Sequence, residues 1–211
     1  MWARARTKRR TKMNEKKFLT AIEPRHRDAV LALKEKDPAA YKEAVKDLKA
    51  VWIARGKEWR HGESISAEER PLKAWRAREL GWKDKPGFVA AIVRVEKGNR
   101  KRRQTSGGRK PSKEYYYATL EKSKQSVAEE RSNRKFPNCE VLGSYWLWED
   151  GMYKYFEVIL VDPHNPHITA DKEISWICES TQKGRVYRGL TSSGKKTRGL
   201  RNKGIGAEKA R

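Results

Sequence analysis

From Cys139 to Val161 the hydrophobic pattern is that of two buried strands joined by a tight turn. Apolar and aromatic residues fill 139–148 and 153–161, and Glu149-Asp150-Gly151-Met152 separates them, with Asp-Gly as a strong hairpin signal. In the second run Tyr155, Glu157, Ile159 and Val161 share one face, and Phe156, Val158, Leu160 and Asp162 the other. Both faces are largely apolar, so this strand needs cover on both sides. A helix predicted over 120–134 is the nearest source of it. Pro163 and Pro166 end the strand, because proline cannot donate to a sheet ladder.

Upstream, Leu19, Ile22, Val30 and Leu33 recur at helical spacing over 18–36, with an interruption at Pro24. Asp37-Pro38 marks a fresh start, Asp as the N-cap and Pro at the first helical position. Tyr41, Val45, Leu48 and Trp52 then line one face of a helix that reaches Arg55 or Trp59. Ser66-Ala67-Glu68-Glu69 fits a capping box ahead of a short helix over LKAWRAREL, closed by Gly81. Gly87 opens a buried strand, FVAAIVRV, that ends at the Gly98-Asn99 turn. The following stretch, 99–113, contains Gly107, Gly108 and Pro111 and reads as a loop. Past the hairpin, Asp162 or Asp171 caps a short helix carrying Ile174, Trp176 and Ile177. The predicted fold class is α/β in the α+β sense: a small antiparallel sheet with packed helices, plus an extended basic loop and N- and C-terminal tails.

Charge divides the chain further. Lys and Arg number 50 against 27 acids, a net charge of +23. Residues 1–17 hold eight basic side chains and one acid, 94–113 nine and one, and 188–211 eight and one. These segments carry nearly the whole excess, and the rest of the chain is close to neutral. The predicted organisation is a basic arm and extension over 1–40, a core over 41–187 with its basic loop at 97–113, and an extended basic tail over 188–211. Segments this charged and this poor in large apolar residues cannot bury a core of their own, and take their order from a partner. A polyanion fits, because each cation that neutralises a phosphate releases condensed counterions. Nucleic acid is therefore the expected partner. Its candidate contacts include Arg4, Arg6, Lys8, Arg9 and Arg10 in the arm, Arg109 and Lys110 in the loop, and Lys203 in the tail. A membrane surface is the weaker polyanion. No long apolar run, lipidation signal or signal-peptide core is present, so a cytoplasmic protein with no membrane partner is expected.

Catalytic chemistry is poorly served. Gly189 to Lys196, GLTSSGKK, nearly spells a phosphate-binding P-loop, but Lys196 stands where a Ser or Thr would hold magnesium. Gly199, Gly204 and Gly206 also interrupt the helix that should follow. Cys139 and Cys178 lie far apart among core-like residues, as two buried free thiols of a reducing compartment, without zinc-ligand spacing. His164 and His167 flank Asn165-Pro166 with no further ligand nearby. Glu129-Glu130 and Glu68-Glu69 are adjacent on predicted helices and so diverge. No metal, cofactor or catalytic group is expected. Among eight tryptophans and eight tyrosines, Tyr115-Tyr116-Tyr117 beside the basic loop suits either base stacking or anchoring of that loop. Along Tyr145-Trp146-Leu147-Trp148, alternation puts one face in the core and leaves the other as a contact surface.

Several stretches together carry a resemblance. RARELGWKDKPGFVAAIVRV followed by KGNRKRR, then QSVAEERSNRKFPNCEVLGSYWLWEDGMYKYFEVILVDP, SWIC and RGLTSSGKKTRGL resemble, in order and spacing, the L-fifteen-e family of archaeal and eukaryotic large-subunit ribosomal proteins. The similarity spans roughly 72–211, and 48–60 looks like the family's N-terminal helix. The resemblance implies a non-catalytic, ribosome-bound constituent of the large subunit that binds ribosomal RNA through basic segments. It also implies neighbouring subunit proteins as partners, among them the L-seven-A-e and L-forty-four-e families. RNA contact carries over to Arg100, Lys101, Arg102 and Arg103 in the loop, and to Arg188, Lys195, Lys196, Arg198 and Arg201 in the tail. The chain departs from the family in its longer, more basic first forty residues, in Glu96 where a basic residue is commoner, and in Asp84 within a normally basic turn. A free-standing RNA-binding or RNA-chaperone module is the alternative reading.

Overall fold

The computed structural model describes residues 22–101, 103, 105–109, 117–118 and 120–204. Its centre is a four-stranded antiparallel sheet in the order β1-β2-β6-β5. The strands are β1 (Ile65–Glu68), β2 (Phe88–Glu96), β5 (Glu140–Glu149) and β6 (Tyr153–Val161). A separate ribbon pairs β3 (Arg100–Lys101) with β4 (Tyr117–Ala118). The helices are α1 (Pro24–Lys36), α2 (Pro38–His61), α3 (Ala74–Glu79), α4 (Lys124–Lys135), α5 (Pro166–Thr169) and α6 (Ser192–Thr197).

Alternation along β6 divides the core as its sequence predicts. Phe156, Val158 and Leu160 face a cluster with Ala91, Val93, Val141 and Ala128 of α4. On the opposite face, Tyr155 meets α2, Ile159 meets Ala77 and Trp82 around α3, and Val161 meets Ile168, Ile174 and Ile177. The sheet is thus covered on both sides, which is why β2 and β6 read as nearly continuous apolar runs.

Several local details depart from expectation. Ser66 and Glu68 do not cap a helix; they lie in β1, paired with Ile92 and Ala90 of β2. Burial of Ile65 against Val93 draws this short segment into the sheet. The next helix begins at Ala74, and Lys73 makes no side-chain cap there. Its cap comes from β6: the Glu157 carboxylate accepts from the Leu72 N–H at 2.8 Å and the Lys73 N–H at 3.4 Å. At the hairpin, Gly151 stays out of the left-handed region. The turn is held instead by the Asp150 carboxylate, which accepts from the N–H groups of Met152 at 2.7 Å and Tyr153 at 2.6 Å. The helix ahead of the hairpin starts at Lys124, not near Leu120, because Ser123 caps it through the Ser126 N–H. The short helix expected around Trp176 and Ile177 is present as a 3-10 helix, Ser175–Cys178, with Ile174 at its N-terminal boundary.

The aromatic strand is buried on one face and half-buried on the other. Burial alternates as expected, with Tyr145 and Leu147 buried and Trp146 and Trp148 half-buried, and β-bulges shift the register between Val141 and Gly143 and between Trp146 and Trp148. Trp148 stacks on Trp52 of α2 at 5.8 Å between centroids. Trp146 lies beneath the Lys73 ammonium at 4.9 Å. Of the two thiols, Cys139 is buried, whereas Cys178 is half-buried.

β5 pairs only with β6, so its other edge is open in the sheet order. Side chains from elsewhere take up its main-chain carbonyls. Asn133 donates to Cys139 O just before the strand, Arg185 to Val141 O and Leu142 O, Gln125 to Ser144 O, and Lys73 to Trp146 O and Leu147 O. At the opposite edge, Lys135 donates to Ile65 O at 2.6 Å.

Candidate nucleic-acid interface

The basic loop leaves the sheet where β2 ends. Two cations of the run 94–113 turn inward at this exit. The Arg94 guanidinium donates to Trp59 O at 3.0 Å and to Arg60 O, and lies 5.1 Å over the Tyr153 ring. Lys97 pairs with Glu149 at 3.6 Å and donates to Asp150 O. Lys124 holds the turn through Gly98 O. Beyond these anchors the β3–β4 ribbon projects with Arg100, Lys101, Arg103 and Arg109 all exposed. Gly107 and Gly108 both take positive φ, 72° and 73°, which reverses the chain at its far end. Arg100, Arg103 and Arg109 carry no ion pair among the described residues. Arg102, Lys110, Tyr115 and Tyr116 lie outside the described residues, as do Arg4, Arg6, Lys8, Arg9 and Arg10.

The C-terminal cations stand on a more ordered base than their composition predicts. Residues 192–197, expected to be extended, form α6, and Thr191, Ser193 and Gly194 are buried. The cause is a set of hydroxyl contacts with α4. Ser126 meets Ser193 at 2.7 Å and Thr197 at 3.2 Å, and Ser123 meets Ser126 at 2.9 Å. Thr191 caps α6 through the Gly194 N–H and donates to the buried Glu129 carboxylate at 2.7 Å. Ser144 donates to the other oxygen of Glu129. Burial pushes the Glu129 carboxyl above its ordinary value, against these hydrogen bonds and the nearby Arg185 charge. Arg185 is itself buried, 4.8 Å from the Trp176 ring centre, and serves the sheet edge rather than a ligand.

Two glycines of this segment are needed for close approach. A Cβ on Gly194 would fall 2.6 Å from Gly189 Cα and 2.8 Å from Gly189 C, and Gly189 has φ +67°. The P-loop-like spacing therefore closes the chain upon itself instead of cradling a phosphate. Gly194→Ala is expected to cost about 1–3 kcal/mol, the usual penalty for overpacking against unyielding backbone. A urea midpoint unchanged from the parent protein would contradict this close contact.

From this base Lys195, Lys196, Arg201 and Lys203 are exposed and carry no ion pair among the described residues. Arg188 and Arg198 are exposed but partly engaged. Arg188 donates to Thr181 O and to Lys183 O at 2.8 Å, and Arg198 to Arg188 O at 3.4 Å. α6 thus carries Lys195 and Lys196, with Arg188, Arg198, Arg201 and Lys203 flanking it in the chain, and β3 carries Arg100 and Lys101, with Arg103 and Arg109 in the loop that follows. Among the described residues no three His, Cys, Asp or Glu side chains gather as metal ligands, and no helix is long and apolar enough to cross a membrane.

Comparison with known proteins shows the family. Residues 34–211 match a family model described as Ribosomal L15. The chain is 50% identical over 173 residues to the large ribosomal subunit protein eL15 of Nanoarchaeum equitans, an alignment covering 82% of this chain and 91% of that protein. It is 48% identical over 166 residues to the eL15 of Picrophilus torridus, covering 78% and 85% respectively. With its sheet, its anchored basic loop and its glycine-closed C-terminal turn lying within the matched span, the chain belongs to the L-fifteen-e family of large-subunit ribosomal proteins.

Proposed function

We propose that this protein is a structural, non-catalytic constituent of the large ribosomal subunit that holds ribosomal RNA between its basic loop and its C-terminal segment. The observation that carries the reading is the display of Arg100, Arg103, Arg109, Lys195, Lys196, Arg201 and Lys203, exposed and without ion pairs among the described residues, from a folded and nearly neutral body. Cations held on a rigid base gain from phosphate neutralisation without first losing an internal partner. Such contacts fix position and orientation, and selectivity comes from the shape of the folded RNA. Lys101, Arg188 and Arg198 belong to the same two basic segments, and Arg102, Lys110 and the cations Arg4, Arg6, Lys8, Arg9 and Arg10, outside the described residues, are assigned to RNA by charge alone. Neighbouring subunit proteins, with the L-seven-A-e and L-forty-four-e families as candidates, complete the surroundings in the cytoplasm.

Gradient sedimentation of the native protein at rising salt tests this. Co-migration with the large subunit that resists moderate salt is expected. The variant Arg100→Gln/Arg103→Gln/Arg109→Gln should leave the subunit at lower salt with its own melting temperature unchanged. A protein that runs free of the subunit at every salt concentration would instead favour the free-standing RNA-binding module.

A further inference from the structure

Helix α2 holds basic residues that a count of charge along the chain conceals. Lys42 is followed by Glu43, Lys46 by Asp47, and Lys57 by Glu58, so each doublet sums to zero. Neighbours in sequence lie about 100° apart around a helix, whereas residues three and four apart share a face. Lys42, Lys46, Lys49, Ile53 and Lys57 follow one another at intervals of four, three, four and four, and therefore form one stripe; Glu43, Asp47 and Glu58 fall on another flank. The core face, with Tyr41, Val45, Trp52 and Gly56, is a third.

Three observations mark this stripe as a contact surface. Lys42, Lys46 and Lys57 are exposed and make no ion pair among the described residues, although acids stand beside each in the chain. Lys42 and Lys46 are like charges one turn apart, an arrangement that works against an isolated helix and that a bound anion relieves. Lys42, Lys46 and Lys49 also line a shallow concavity of about 430 Å³ floored by Val45, Ala50 and Ile53, and Ile53 is 51% exposed.

We propose that this face of α2 binds the sugar-phosphate backbone of RNA, as a contact separate from the loop and the C-terminal segment. The inference rests on the ribosomal reading above. Charge selects the occupant, since the stripe presents cations without a carboxylate among them. From Lys42 to Lys57 it runs about 22 Å along the helix axis, enough to follow several phosphates. Ile53 sits within it as an apolar contact for sugars.

The test measures binding of the full chain to deproteinised large-subunit RNA, with homopolymer RNA as competitor, over a range of salt. Lys42→Gln/Lys46→Gln/Lys57→Gln is expected to make the plot of log affinity against log salt shallower by about one unit per lysine, with an unchanged melting temperature. Lys57→Gln alone should remove about one unit, and serves if the triple variant folds poorly. If the helix variants keep the full slope while Arg100→Gln/Arg103→Gln/Arg109→Gln loses its share, the stripe is not on RNA and the ribosomal reading survives. If neither set changes the slope, both readings fail. If the helix variants keep RNA binding but lose other subunit proteins during reconstitution, the occupant is an acidic protein surface and the proposal is overturned.

Discussion

Removing residues 191–211 is expected to lower the stability of the body by about 3–5 kcal/mol, besides weakening its hold on RNA. A basic, glycine-containing tail would ordinarily be dispensable for folding. Here its first turn supplies the Thr191 hydroxyl to the buried Glu129 carboxylate and the Ser193 and Thr197 hydroxyls to Ser126. A hydrogen bond to a charged group is worth about 1.5–3 kcal/mol, and leaving the buried acceptor unpaired adds the cost of its desolvation. For a domain of this size the loss corresponds to a melting temperature lower by roughly 10 °C. Thr191→Val should reproduce about half of it. The pH dependence provides an independent readout. Burial already places the Glu129 carboxyl above its unfolded value, so the folded state holds the extra proton and stability falls as pH rises through that window. Thr191→Val removes a donor to the ionised form while keeping the cover over Glu129, which widens the window, so that variant should lose less stability at pH 5 than at pH 7. Equal melting temperatures with and without the segment would show that α6 contributes nothing to the fold.

Lys73→Ala should be comparably costly, at about 2–6 kcal/mol, the cost of leaving two buried acceptors without their donor. Lys73 is 2% exposed, and its ammonium donates to Trp146 O at 3.0 Å and Leu147 O at 3.1 Å where β5 bulges. Loss of the side chain strands two carbonyls and takes a positive charge from the neighbourhood of the buried Glu157. Burial pulls the Lys73 ammonium down to about 7, against the partial support of Glu157. The unfolded chain therefore binds more protons between pH 7 and the ordinary lysine value, and stability should rise with pH across that interval. Urea titrations of the parent protein from pH 7 to 10 should show the rise, and Lys73→Met should lack it. A parent protein whose stability is flat over this range would mean that Lys73 keeps an ordinary proton affinity.

What the sequence made legible was whatever its own neighbours determine. The hairpin follows from alternation on either side of Asp150-Gly151, and α2 from Asp37-Pro38 and an apolar stripe, because strand period and capping are local signals. β1 was not legible: its four residues are strand only through pairing with β2, and the cap of α3 comes from Glu157, 85 positions from Leu72. The C-terminal helix was hidden for the same reason. Its hydroxyl partners on α4 are more than sixty positions away, and the mutual approach of Gly189 and Gly194 exists only after folding. Composition located the loop cations but could not separate Arg100 from Arg94, whose guanidinium is committed to the end of α2. The lysines of α2 escaped because charge was summed along the chain instead of around the helix.

The side chains that occupy the carbonyls of β5 and Ile65 bear on the protein's life before assembly. An open strand ten residues long is a template on which another chain can grow, and a ribosomal protein must exist for a time without its RNA. Asn133, Gln125, Lys73 and Arg185 act as stoppers along that edge, as Lys135 does on the other. A carbonyl already occupied in this way is a poorer acceptor for an added strand. The same side chains occupy acceptors that a neighbour docking by strand addition would need.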